Sequence, residues 1–102
     1  MKVEWSRAAR TDLLEIYTYI AEHDFKAARS IVAKLRGATR RAGEMPWAGR
    51  VVPEFEVADL RERIVAPYRV VYLVRSEKVF IVRVWHSRRD LNALEDELDP
   101  GG

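Results

Sequence analysis

The chemistry in this chain is concentrated in a few cations and one histidine of its second half. Arg61 and Arg63 stand two residues apart, so they share one face if residues 60–65 are extended. From that face they can contact phosphates or an acidic partner. Arg69 sits inside the β-branched and aromatic run Tyr68-Arg69-Val70-Val71-Tyr72, and Arg83 inside residues 79–85. A strand arginine such as Arg69 also has a structural use, which is pairing with a carboxylate such as Glu62. His86 precedes Ser87-Arg88-Arg89, where it either fixes the following turn or offers a titratable ring. Two histidines, His23 and His86, and no cysteine give no thiolate zinc site, no Cys nucleophile and no His-built metal site. There is no Gly-rich phosphate loop. Neither a metal nor a cofactor is expected.

Charge sharpens the picture. The net charge of +2 hides a strong asymmetry. Residues 34–89 hold thirteen basic and six acidic groups, a net of +7, whereas residues 90–102 hold five acidic groups and no basic one. A cationic body suits a polyanion, either nucleic acid or an acidic protein segment. At 102 residues and 48% apolar composition, the chain has the size and apolar content of one folded domain, taken as residues 1–102. No apolar run approaches the roughly 20 residues of a membrane span, and no signal peptide is recognisable. A cytoplasmic location is the expectation.

The elements that must hold these residues follow from periodicity. Residues 2–5 alternate in polarity and read as a short strand. Ser6 is placed to cap a helix whose apolar stripe is Ala9, Leu13, Ile16, Tyr17 and Ile20. Asp24 caps a second helix with the stripe Ala27, Ala28, Ile31, Val32, Leu35, Ala38 and Ala42. Gly37 weakens the helix interior and leaves room for a kink, and a stop near Gly43 is expected. Residues 44–59 carry Pro46, Gly49 and Pro53 and read as irregular. Strands are expected at 60–65, 68–74 and 79–85, and Leu91, Leu94 and Leu98 suggest a short C-terminal helix. The fold class is therefore α+β: an N-terminal strand, a two-helix hairpin packed on a small antiparallel sheet, and a short last helix. Tyr17, Tyr72 and Phe80 are expected in the core. Trp5 and Trp85 are expected at the sheet edge or under the hairpin, and Trp47, in its Pro/Gly loop, as an exposed anchor for a partner.

Taken together and in order, several segments resemble the RelE/ParE superfamily of toxins from type II toxin–antitoxin systems. They are Ile16-Tyr17-Thr18-Tyr19-Ile20, Ala27-Ala28, Pro46 with Gly49-Arg50, Leu60-Arg61-Glu62, Tyr68-Arg69-Val70-Val71-Tyr72, and Trp85-His86-Ser87-Arg88-Arg89. The resemblance implies a toxin held inactive in a hetero-oligomer by a cognate antitoxin, ParD-like or similar, with an acidic C-terminal segment. Arg61, Arg63, Arg69 and Arg83 are its expected contacts. The resemblance also implies one of two activities, inhibition of DNA gyrase as in ParE-like members or ribosome-dependent mRNA cleavage as in RelE-like ones. Cleavage through the 2′-hydroxyl needs a base, a cation for the phosphorane and an acid. In the RelE-like pattern Arg69 would be the cation and His86 the acid or base, with Glu54 or Glu56 as a candidate base. Ser87 stands where that pattern often has tyrosine, and a serine hydroxyl titrates too high to replace it. The mild net charge and the two helices, of about 16 and 18 residues, also favour the ParE-like branch. The chain thus reads as a gyrase inhibitor in preference to a ribonuclease. Trp47, Arg88, Arg89, Leu91 and Leu94 are the residues expected to act on the target.

Overall fold

The computed structural model describes residues 1–87. In chain order these form β1 (Lys2–Trp5), α1 (Arg7–Ala21), α2 (Phe25–Glu44), a 3-10 turn (Pro46–Ala48), β2 (Arg50–Val51), β3 (Leu60–Val65), β4 (Tyr68–Arg75) and β5 (Lys78–His86). The expected C-terminal helix, with Leu91, Leu94 and Leu98, lies outside the described residues, as do Arg88 and Arg89. Ser6 caps α1 by accepting the Ala9 N–H at 2.9 Å, and Asp24 caps α2 by accepting that of Ala27 at 3.0 Å. Helix α2 continues through Gly37 to Glu44.

The five strands lie in the order β1-β5-β4-β3-β2. The sheet is mixed rather than wholly antiparallel, because β1 pairs with β5 in parallel. Both ends of β1 explain its direction. The Met1 ammonium donates to the Gly43 carbonyl at 2.8 Å, at the far end of α2. At the other end the Ser6 hydroxyl donates to the Val82 carbonyl at 2.8 Å. The helix ends at Glu44, one residue past Gly43, and Gly43 is also a place of close approach: a Cβ there would lie 2.6 Å from Val3 Cγ2. Residues 50–51, expected to be irregular, add β2 to the edge of β3.

Each face of the sheet has its own core. Ala9, Leu35, Ala38 and Ala42 of the hairpin close over Val70, Tyr72, Val74, Val79, Ile81 and Val84. On the opposite face Val52, Leu60, Val71, Val82 and Trp85 cluster with Phe55, Leu73 and Phe80. Trp85 is thus buried on the face away from the helices, not under them. Phe80 is half-buried on that same face. Tyr17 leaves the core altogether, and its ring meets Phe25 edge-on at 6.0 Å on the outside of the hairpin. A bulge in β5 carries the pattern past its middle: Val71 faces Arg83 and Tyr72 faces Ile81, so Val82 is the extra residue.

Tyr72 is fully buried, and its hydroxyl donates to the Pro46 carbonyl at 2.7 Å. Burial pushes this hydroxyl above the usual tyrosine range, partly offset by Arg63. A raised folded value means that stability is fully present below the ordinary tyrosine range and is lost as pH rises through the folded value. Denaturant unfolding between about pH 8 and pH 11 should therefore show falling stability above about pH 10. The fall should be shallower in Tyr72→Phe; an unchanged slope would assign the effect to other groups.

Candidate functional site

Arg69 and His86, the pair that only a RelE-like nuclease would use, sit on two strands that are direct neighbours. Register separates them. Arg69 faces Trp85, and Tyr68 faces His86. Trp85 belongs to the core away from the hairpin, whereas Tyr68 packs against the hairpin core. The side-chain period of two therefore puts the arginine and the histidine on opposite faces of the sheet.

Arg69 is also fully engaged. Its side chain is 10% exposed and takes both oxygens of Glu54, at 2.8 and 3.3 Å, in a bidentate pair. The same guanidinium is 3.4 Å from Glu62 Oε1, and the Glu62 side chain is wholly buried. Arg50 grips the other Glu62 oxygen through Nε at 2.8 Å and through a second guanidinium nitrogen. Two cations and two carboxylates thus form one chain across β2, β3, β4 and the loop at Glu54. The Arg69 hydrogen bonds hold the Glu54 carboxyl below the usual carboxylate range, against a smaller opposing effect of burial. A carboxylate held ionised by a guanidinium is a weak proton acceptor.

His86 looks instead into an open cleft of about 460 Å³ between α1 and the ends of β4 and β5. Asp12, Glu15, Ile16, Tyr19, Tyr68 and Val84 line it. The Tyr68 ring meets His86 edge-on at 5.9 Å. Burial, with a contribution from Tyr19, raises the Tyr68 hydroxyl above its usual range. Asp12 is 4% exposed and already committed. Its two oxygens take Arg83 Nε and a second guanidinium nitrogen, each at 2.7 Å, and one of them also accepts the Val84 N–H at 2.9 Å. β1 pairs only with residues 78–81 of β5, so Asp12 satisfies an edge donor that β1 is too short to reach.

The four arginines expected to meet an antitoxin occupy three environments. Arg61 and Arg63 do share a face, at the margin of the hairpin side. Arg61 donates to the carbonyls of Ala58, Trp47 and Gly49 at 2.8, 3.2 and 3.0 Å, and its guanidinium lies 5.1 Å from the Trp47 ring centre. Arg63 donates to the Met45 carbonyl at 3.4 Å. Arg69 is on the opposite face. Arg83 is tucked against α1, with its guanidinium 4.4 Å from the Trp85 ring centre. Trp47 itself is 53% exposed. Among the described residues no group of His, Asp and Glu is arranged to hold a metal ion.

Sequence reasoning overlooked Asp12. Its signal was present: at i+3 from Ala9 it falls on the apolar stripe of α1, where a carboxylate needs a buried partner. Gly49 was read as loop punctuation, but it permits contact. A Cβ there would lie 2.0 Å from the Tyr72 hydroxyl oxygen.

Strand, helical hairpin and sheet in this order are found in solved toxins. A structure described as the chromosomal ParDE TA system from P. aeruginosa superposes with a TM-score of 0.71 at 21% identity, covering 84% of this chain and 95% of that one. A YoeB/ParE toxin from Agrobacterium tumefaciens gives 0.60 at 22% identity, covering 84% and 98%. The fold is that of the RelE/ParE class of type II toxins. No curated protein matches the chain. Residues 3–91 match the model of the ParE toxin of the type II toxin–antitoxin system parDE, and the chain belongs to that family. Membership implies an antitoxin partner. No described helix is long and apolar enough to cross a membrane.

Proposed function

We propose that this chain arrests growth in the cytoplasm by poisoning DNA gyrase, and that a cognate antitoxin with an acidic C-terminal segment neutralises it in a hetero-oligomer. The observation that supports gyrase over mRNA is the separation of Arg69 from His86 by the thickness of the sheet, with Arg69 neutralised by Glu54 and Glu62. A phosphorane needs its cation and its proton donor around one phosphate. Here one face offers a spent cation and the other a histidine beside a carboxylate already paired with Arg83. On this reading Arg61 and Arg63, beside the exposed Trp47, form the outward part of the antitoxin contact, and Arg69 and Arg83 act by holding the sheet. Trp47, Arg88, Arg89, Leu91 and Leu94 are the residues assigned to the target.

Purified protein added to gyrase should block plasmid supercoiling and accumulate cleaved DNA, while ribosome-bound mRNA stays intact. His86→Ala should retain this inhibition, with circular dichroism confirming its fold. Ribosome-dependent mRNA cutting that disappears in a folded His86→Ala protein, with supercoiling untouched, would replace gyrase by the ribosome. Arg69→Ala is a poor discriminator, because it strips a buried Glu62 of a partner and weakens the fold under either reading.

A further inference from the structure

Helix α2 carries six basic residues, Lys26, Arg29, Lys34, Arg36, Arg40 and Arg41, and one acidic residue, Glu44. Where it runs beside β3 it forms one wall of an open groove of about 480 Å³. Lys34, Arg40 and Arg41 line that groove with Ser30, Gly37 and Ile64, and no carboxylate does. All three cations are exposed, and none is ion-paired to a described carboxylate. Two of them meet over Gly37: a Cβ at this position would lie 3.3 Å from an Arg41 guanidinium nitrogen and 3.7 Å from one of Arg40. The groove continues past Arg41 and Ile64 to Arg50 and Arg63. The carboxylate of that extension, Glu62, is wholly buried and consumed by Arg50 and Arg69. Arg63 Nε is buried there without a hydrogen-bond partner among the described residues.

We infer that this groove binds the phosphate backbone of a nucleic acid without reading its sequence. Lys34 and Arg41 are seven residues apart on α2, two turns or about 10 Å along the axis. One strand of a duplex presents a phosphate about every 3.4 Å, so that span faces about three of them. Fork-shaped guanidiniums suit phosphate oxygens. The lining has no aromatic ring to stack on a base and no Asn or Gln to pair with an adenine edge. An acidic peptide would need apolar anchors for a lasting complex, and Ile64 is the one exposed large apolar side chain here. The inference stands apart from the gyrase reading, because it concerns naked nucleic acid.

The test is fluorescence anisotropy of the full chain with a labelled duplex DNA of about 20 base pairs and an RNA duplex of equal length, at several salt concentrations. Three phosphate contacts predict a slope near −2.7 in log K against log salt, or about 40-fold weaker DNA binding at ~200 mM than at ~50 mM. Lys34→Ala with Arg41→Ala should reduce the slope by about two contacts and weaken binding at least ~10-fold at low salt. Arg10→Ala with Arg36→Ala removes equal charge from the hairpin's other groove and should change little. Tighter binding of either duplex identifies which backbone the groove prefers, and either supports the inference. Equal loss in the two double variants would reduce it to diffuse charge and overturn it. So would absence of binding to both duplexes at ~50 mM salt, above all if a polyglutamate peptide bound instead.

Discussion

Replacing Asp12 with alanine is expected to lower the melting temperature by at least about 12 °C. Asp12 neutralises Arg83 through two 2.7 Å contacts and caps the Val84 N–H, and both partners sit where water has little access. Removing one member of a buried ion pair costs about 3–5 kcal/mol, because the other charge stays buried after losing its bidentate carboxylate. In a domain of this size each kcal/mol is about 4–8 °C. The measurement is thermal unfolding by circular dichroism, with denaturant unfolding as a check. Asp12→Leu combined with Arg83→Met should recover part of the loss, since an apolar pair leaves no stranded charge, although the Val84 donor stays open. A single Asp12→Ala variant melting within about 3 °C of the parent would show that water reaches Arg83 and that the pair is a surface ornament.

Gly49→Ala is the second large effect expected, at about 2–4 kcal/mol. The backbone of Gly49 is extended, with φ of −69°, so alanine meets no conformational penalty. Space is the obstacle: the new methyl would lie 2.0 Å from the Tyr72 hydroxyl oxygen and 3.0 Å from the Glu62 carbonyl. The Tyr72 hydroxyl would have to leave the Pro46 carbonyl, which adds a lost buried hydrogen bond of about 1 kcal/mol to an overpacking cost of about 1–3 kcal/mol. Gly49→Ala in a Tyr72→Phe background should be milder than in the parent, since the closest colliding atom is gone. Strictly additive losses in that double-mutant cycle would contradict the proposed collision.

The architecture was largely legible because its signals are local. Ser6 and Asp24 announce their helices, the apolar stripes give the hairpin, and β-branched runs give β3, β4 and β5. The direction of β1 was not legible, since it depends on Met1 reaching Gly43 and Ser6 reaching Val82, contacts between distant parts of the chain. Trp85 was misplaced for a related reason. The bulge at Val82 shifts the alternation of β5, and one extra residue decides which face a large ring enters. The residue types of the site could be read, but not their arrangement. Arg69 and His86 are conspicuous in a linear motif, and only the strand register shows that they look in opposite directions. Asp12 was hidden in the opposite way, an ordinary-looking helical carboxylate whose partner lies 71 residues further on.

The order of the strands also bears on how the protein behaves in crowded solution. Its longest strands, β4 and β5 with eight and nine residues, are interior to the sheet, and its margins are a four-residue and a two-residue strand. Unpaired strand edges are the templates on which chains stack into aggregates, and short edges are a common protection. The weak point of β5, where β1 runs out, is plugged at Val84 by a helical carboxylate. β2 pairs with residues 61–62, so beyond Glu62 the outer side of β3 has no strand partner among the described residues. Residues 63–65 therefore offer one opening for an added strand, beside Arg40 and Arg41 of α2, whose charge opposes the approach of another copy of the same cationic body.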